Sequence, residues 1–228
     1  MNSSAINPRI KLVAFDVAGT TVNDDGLVVA AFKAAFEKSQ PELWPEKGAI
    51  WTQYAIDTMG QSKIHVFTEL LGDIEKAHAA NVAFEEAYMN EVAEQGISPI
   101  AGTLEIFADL RERGIAIALT TGFSRSTLDP MLFELGWLGL IDASVTPEEA
   151  GRGRPHPDML NFLANKLNIQ SPELVMVVGD TAADMQSGVA FGATNIVGVL
   201  SGAHSRETLH DAGATSVINS VTDLSSHI

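Results

Sequence analysis

Two aspartates that close apolar runs carry the most legible chemistry in this chain: Asp16 at the end of "VAFD" and Asp180 at the end of "LVMVVGD". Asp184 follows Asp180 by one helical turn, in "GDTAAD". Carboxylates gathered in one crevice repel and are driven toward protonation unless a cation joins them. An all-oxygen set of this kind suits Mg²⁺. Thr121 and Gly122, in "LTTG", offer a hydroxyl and an unobstructed backbone N–H where a helix begins, which suits a phosphate oxygen. Arg154, in "GRGRPHPD", adds a guanidinium for the same anion. Together they describe a phosphoryl-transfer site with Asp16 as nucleophile. Singly, each has a plainer reading as a turn former or a helix cap. Their recurrence in order, at successive strand ends, outweighs those readings.

Positioning such residues takes a sheet. "GIAIALTT" (114–121) and "LVMVVGD" (174–180) are aliphatic without polar alternation, as strands covered on both faces are. "TNIVGVL" (194–200) and "TSVIN" (215–219) are shorter versions. Segments of helical period lie between them, near 102–113, 125–135, 156–167 and 182–191. Strand and helix in turn imply a parallel sheet with right-handed crossovers, whose ligands bind at the carboxyl ends of the strands. From about 27 to 96 the rhythm breaks into helical stretches, "VVAAFKAAFEKS", "GAIWTQYAIDTM" and "EKAHAANVAFEEAYMNEVAEQ". This region reads as a helical insert, with turn chemistry at its junctions, "NDDG" and "QGISPIAG".

The 228 residues, 46% apolar, can bury a substantial core as one domain or one domain carrying an insertion. A net charge of −15 without any Lys/Arg cluster argues against nucleic acid and anionic membranes as partners. A small phosphate or phosphonate substrate remains, provided a local cation meets it. The chain has no cysteine, hence neither disulfides nor thiolate metal sites. No run approaches the ~18 apolar residues of a membrane span, and "MNSSAINPRIK" lacks the apolar centre of a signal peptide. A cytoplasmic monomer or homodimer is expected.

The motif order "DVAGT", "LTTG", "GRPHPD", "GDTAAD" resembles the haloacid dehalogenase superfamily across the whole chain. The resemblance implies an α/β fold: a Rossmann-like parallel-sheet core (1–26 and 97–228) with an inserted helical cap (27–96). It also implies an aspartyl-phosphate intermediate on Asp16, with Mg²⁺ held by Asp16, the Ala18 carbonyl and Asp180, and Asp184 supporting it. Thr20, Thr121, Gly122 and Arg154 carry over as phosphate-binding residues. Arg154 also steadies the nucleophile, where most relatives use Lys.

Ala18 is the discriminating position. Phosphatases of this superfamily read D-x-D-G-T, and their second Asp protonates the leaving alkoxide, a contribution typically worth ~10²–10⁴ in rate. A methyl group has no proton to give. The 2-haloacid dehalogenases read D-x-Y-G-T, and the acids Asp180 and Asp184 argue against that branch. D-x-A-G-T resembles the phosphonoacetaldehyde hydrolases, which break a C–P bond by forming an imine between the substrate aldehyde and a cap lysine. The carbon then leaves as an enamine. "TMGQSKIHVF" resembles their M-G-x-x-K-I segment, which makes Lys63 the implied Schiff-base lysine and Met59 and Gly60 substrate contacts. Such a lysine must be partly neutral, its pKa lowered by burial or a neighbouring cation.

Two positions depart from that family. Its histidine three residues after the lysine is Val66 here, and His65 sits one residue early, about 100° round the helix. Its tyrosine after "TTG" is Phe123. His156 is expected as a loop residue near the site mouth. Met59, Trp44, Trp51 and Tyr54 are expected to line the inner face of the cap or to pack its helices. The expected function is Mg²⁺-dependent cleavage of phosphonoacetaldehyde or a related carbonyl phosphonate. A phosphatase of the same superfamily, acting on a small phosphorylated metabolite, is the alternative, and a non-catalytic binding protein fits the full residue set least.

Overall fold

The computed structural model describes residues 10–228. Six strands form one parallel sheet: β1 (Leu12–Asp16), β2 (Ala116–Thr120), β3 (Ala143–Val145), β4 (Val175–Gly179), β5 (Asn195–Val199) and β6 (Ser216–Ile218). Their spatial order is β3-β2-β1-β4-β5-β6, so β1 and β4 are central and the order reverses between them. A reversal of this kind opens a crevice at the carboxyl ends of the strands. Aliphatic strands without polar alternation are buried on both faces, and β1 and β4 are buried at every residue. Alternate residues serve different layers. Val13, Phe15, Ile117, Leu119, Met176 and Val178 enter one apolar cluster, whereas Leu12, Ala14, Ala118, Val175 and Val177 enter a second on the opposite face. Periodicity does not announce β3: it has three residues, with Ser144 at its centre, and lies at the sheet edge.

Four helices separate β1 from the rest of the sheet: α1 (Leu27–Ser39), α2 (Trp44–Asp57), α3 (Lys63–Leu71) and α4 (Ile74–Gln95). Turn chemistry delimits them. Gly26 precedes α1 with φ 83°, and the Asp73 carboxylate caps α4 by accepting the N–H groups of Glu75 and Lys76. The remaining helices are α5 (Thr103–Glu112), α6 (Arg125–Glu134), α7 (Pro147–Ala150), α8 (Asp158–Lys166), α9 (Ala182–Phe191) and α10 (Arg206–Asp211). The two crossings between insert and sheet run side by side. Asn23 N–H donates to Ser98 O at 3.0 Å and Ile100 N–H to Thr21 O at 2.9 Å.

Aromatic rings fill the insert. Phe36 lies 4.9 Å from Trp51, 5.0 Å from Phe67 and 6.3 Å from Trp44 between ring centroids. Trp44 and Trp51 thus pack helices, and Tyr54 joins the same apolar cluster. None of these three reaches the central cavity, which Met59 does line. No described helix is long and apolar enough to cross a membrane.

Phe36 is fully buried among those rings and does not line the cavity. Phe36→Ala is expected to destabilise the protein by about 3–5 kcal/mol, read as a lower urea midpoint in denaturation followed by circular dichroism.

Candidate active site

Strand register brings the polar residues together. Asp16 pairs with Thr120, so Thr121 emerges beside it from β2, and β4 runs in step on the other side, so that Asp180 follows Gly179 into the same crevice. Directly after Asp16 the chain turns on one carbonyl: Val17 O accepts the N–H groups of Thr21 and Val22, both at 2.9 Å. Gly19 has φ +87°, and a Cβ there would stand 2.6 Å from an Asp180 carboxylate oxygen. Glycine is thus required twice over, by conformation and by close approach.

Asp16, Asp180 and Asp184 are all buried, with carboxylate oxygens within 4.8 Å of one another. Arg154, only 4% exposed, donates to Asp16 Oδ1 at 2.6 Å and also to Asp184 Oδ1. Asp184 caps α9 as well, accepting the N–H of Thr181 at 3.1 Å. Asp180 accepts the Thr20 hydroxyl and the Ala203 N–H, each at 2.8 Å. Burial lifts the Asp16 pKa to about 6 in spite of Arg154. Burial, then the charges of Asp16 and Asp184, raise Asp180 well above the usual carboxylate range. Three carboxylates against one guanidinium leave two negative charges uncompensated. A divalent, oxygen-seeking cation such as Mg²⁺ fits both the donors and the deficit.

The insert contributes the opposing charge. Thr58, Met59, Gly60 and Gln61 form a turn ahead of α3 that presses against the ends of the sheet. A Cβ on Gly60 (φ +87°) would meet Thr181 Oγ1 at 2.2 Å, and one on Gly122 would meet Gln61 O at 2.4 Å. Lys63 N–H donates to Gly122 O at 3.3 Å, which fixes the first residue of α3 to the loop after β2. The Lys63 side chain is 7% exposed, with its amine 5.3–5.9 Å from the ring centroids of Phe123, Phe32 and Phe84. No described hydrogen bond or ion pair engages it. Rings offset only part of an ammonium's lost hydration. Burial, followed by repulsion from Arg154, lowers the Lys63 pKa to about 8.

A cavity of about 410 Å³ joins these groups; its lining includes Asp16, Ala18, Met59, Gly60, Lys63, Thr121, Gly122, Phe123, Arg154 and Asp180. Asp184 stands behind Asp180 and Arg154. Two expectations need correction, those for Thr20 and His156. Thr20 is fully buried and directs its hydroxyl at Asp180, so it braces the acidic cluster instead of facing the cavity. The Thr121 hydroxyl accepts the N–H of Phe123 at 3.1 Å, leaving its own proton for an anion. His156 is exposed and borders a neighbouring hollow together with His65, not this cavity. Val66 is buried in the insert, confirming that α3 turns His65 outward. Residue reading overlooked Asp24, Phe32, Phe84 and the 201–203 loop. The last follows β5, so the strand-end rule already pointed to it.

A model of the haloacid dehalogenase-like hydrolases matches residues 10–192. The chain belongs to that hydrolase family. It is 35% identical over 211 residues to a phosphonoacetaldehyde hydrolase of Bacillus cereus, covering 85% of this chain and 77% of the relative. The corresponding enzyme of Bacillus cereus strain G9842 is 32% identical over 206 residues, with the same coverage. Among solved structures, a hydrolase from Pseudomonas syringae superposes with TM-score 0.83 at 25% identity, over 96% of this chain and 97% of that one. A phosphonoacetaldehyde hydrolase-like protein from Oleispira antarctica shares the fold, with TM-score 0.82 at 24% identity over 97% and 92% of the two chains.

The buried lysine makes a pH-dependent prediction. The folded protein gives up the Lys63 proton near pH 8, whereas the unfolded chain keeps it up to the ordinary value of 10.5. The unfolded state binds more protons within that window, so this residue's contribution to stability rises with pH there. Lys63→Met, which fills the same space without a charge, is expected to be more stable than wild type at neutral pH by up to ~3 kcal/mol. Urea denaturation across pH, without added divalent metal, should show that advantage shrinking above pH 8 and gone above 10.5.

Proposed function

We propose that this family member cleaves the C–P bond of phosphonoacetaldehyde or a closely related carbonyl phosphonate, with residues 27–96 acting as a cap over the core formed by 1–26 and 97–228. The observation that carries the reading is the Lys63 amine: buried, without a polar partner among the described residues, and in one cavity with Asp16, while Ala18 stands where a phosphatase has its acid. With a pKa of about 8, roughly a tenth of the molecules hold Lys63 as the free amine at neutral pH, enough to attack a carbonyl.

The phosphonate group would sit against Arg154, the Thr121 hydroxyl and the Gly122 backbone, with its carbonyl carbon directed at the cap. Lys63 Nζ adds to that carbon and, with one proton taken up, water leaves, forming a protonated imine. Asp16, steadied by Arg154, attacks phosphorus in its ionised form. The C–P electron pair passes into the imine to give an enamine, and the phosphoryl group stays on the Asp16 carboxylate until water releases it. Asp16, the Ala18 carbonyl and Asp180 would hold Mg²⁺, with Asp184 behind them; when bound, the ion neutralises phosphoryl oxygens facing the nucleophile. Phe123, Phe32 and Phe84 keep water from the amine.

A second reading is a phosphatase acting on a small phosphorylated metabolite. It is favoured by Val66 and Phe123, which supply neither the ring nitrogen nor the phenol that the phosphonoacetaldehyde hydrolases have at those positions. Phosphate release separates the two readings. Wild type is expected to release phosphate from phosphonoacetaldehyde at least 10²-fold faster than from simple phosphate monoesters, and Lys63→Met to lose the first activity by at least 10³-fold. Faster ester hydrolysis that is indifferent to Lys63→Met supports the phosphatase.

A further inference from the structure

Imine formation moves protons, and three residues that would be suspected of moving them cannot: Ala18, Val66 and Phe123 carry no exchangeable side-chain proton. Among the described residues, the cavity lining contains six ionisable side chains, Asp16, Asp24, Asp25, Lys63, Arg154 and Asp180. Asp16 and Asp180 belong to the acidic cluster that binds and attacks the phosphonate. Arg154 does not release its proton, and Lys63 is the amine itself. Asp25 is exposed at the rim. The Tyr88 hydroxyl is buried without a partner among the described residues but stands behind Phe123, 4.7 Å away between ring centroids, outside the cavity lining. Asp24 remains.

Asp24 lies at the end of the first crossing into the insert, half-buried in the cavity wall. Its Oδ1 accepts the N–H of Val28 at 3.1 Å, in the first turn of α1, which holds the carboxyl facing the same space as the amine. Lys63 and Asp24 sense each other's charge, and the Asp24 carboxyl also bears on Tyr88. Burial raises the Asp24 pKa, opposed by the Val28 N–H and by Lys63, so it keeps its proton to higher pH than an exposed carboxyl.

We propose that Asp24 is the proton-transfer residue of this site, taking the proton that Lys63 Nζ sheds on addition and delivering one to the carbonyl oxygen. This inference rests on the imine reading above. In the addition step the C–N bond forms, the carbonyl π pair moves to oxygen, and nitrogen loses one proton as oxygen gains one. In the dehydration step the nitrogen lone pair expels that hydroxyl, which leaves as water with a second proton from the Asp24 carboxyl. A proton from solvent restores the carboxyl. The sum is amine, aldehyde and one proton giving iminium and water. In this role Asp24 exchanges protons with the nitrogen and oxygen across the shared cavity in both steps and takes no part in attack at phosphorus.

The test sets two variants against each other. Asp24→Asn keeps an oxygen that can accept from Val28 and cannot transfer a proton, whereas Asp24→Glu keeps the carboxyl but displaces it. The rate of borohydride-trapped adduct formation at Lys63 with phosphonoacetaldehyde is measured for wild type and both variants, alongside thermal midpoints. Trapping slowed tenfold or more in Asp24→Asn at an unchanged midpoint, and restored in part by Asp24→Glu, is the expected result. Equal trapping in Asp24→Asn and wild type overturns the role. So does loss in Asp24→Glu with full rate in Asp24→Asn, which marks a purely structural carboxyl. If Asp24→Asn lowers the midpoint, partial rescue by Asp24→Glu decides for proton transfer and its absence against it. If wild type itself forms no adduct, the imine reading has failed, and this role with it.

Discussion

Three carboxylates buried within reach of one another are the constraint around which the rest of this molecule is arranged. Asp16, Asp180 and Asp184 cannot all stay ionised in a dry crevice without compensation. Arg154 bridges two of them, the Thr20 hydroxyl and Ala203 N–H support the third, and the Thr181 N–H meets the remaining lone pairs of Asp184. Asp16 and Asp180 remain hard to ionise even so. Fully ionised, the three carboxylates would carry two more negative charges than Arg154 offsets, which primes the cluster for a divalent cation and for substrate groups that bind through one. That is the electrostatic logic of phosphoryl transfer.

Lys63 answers the same constraint from the other side. Its amine is held over the acidic crevice by a turn so close to the sheet that Gly60 and Gly122 have no room for a side chain. Rings surround the amine instead of carboxylates, so burial prevails and the charge is loosely held. An ordinary ion pair with Asp16 would have tied up both partners. Arg154 takes that place, which leaves a carboxylate and an amine in one cavity, each available to react.

The sheet was legible because strands covered on both faces are continuously aliphatic, and the acids were legible because they terminate those strands. β3 was legible only as the end of "IDASVT", the segment whose following loop carries Arg154, because three residues at a sheet edge carry little pattern of their own. The helical insert was recognisable from the absence of strands, but which faces of its helices meet the cavity is a tertiary matter. Hence Trp44, Trp51 and Tyr54, candidates for the inner face by type, pack helices, while the rings of Phe32 and Phe84 flank the Lys63 amine. Thr20 illustrates the same limit: a hydroxyl two residues after Ala18 can turn toward a phosphate or toward Asp180, and only the turn on Val17 O decides. Asp24 lies within "NDDG", where turn chemistry explains it fully; only the fold shows that it lines the same cavity as the Lys63 amine.

The covalent role of Lys63 is the central claim, and the Asp16→Asn variant arrests chemistry at the point where it can be seen. Without a nucleophile to accept phosphorus, a crystal of that variant soaked with phosphonoacetaldehyde and Mg²⁺ should accumulate the imine. Continuous electron density from Lys63 Nζ to the substrate carbon, with the phosphonate still attached and seated against Arg154, is the predicted result. A resolved carbonyl or hydrated aldehyde with Lys63 Nζ unbonded beside it would contradict the account.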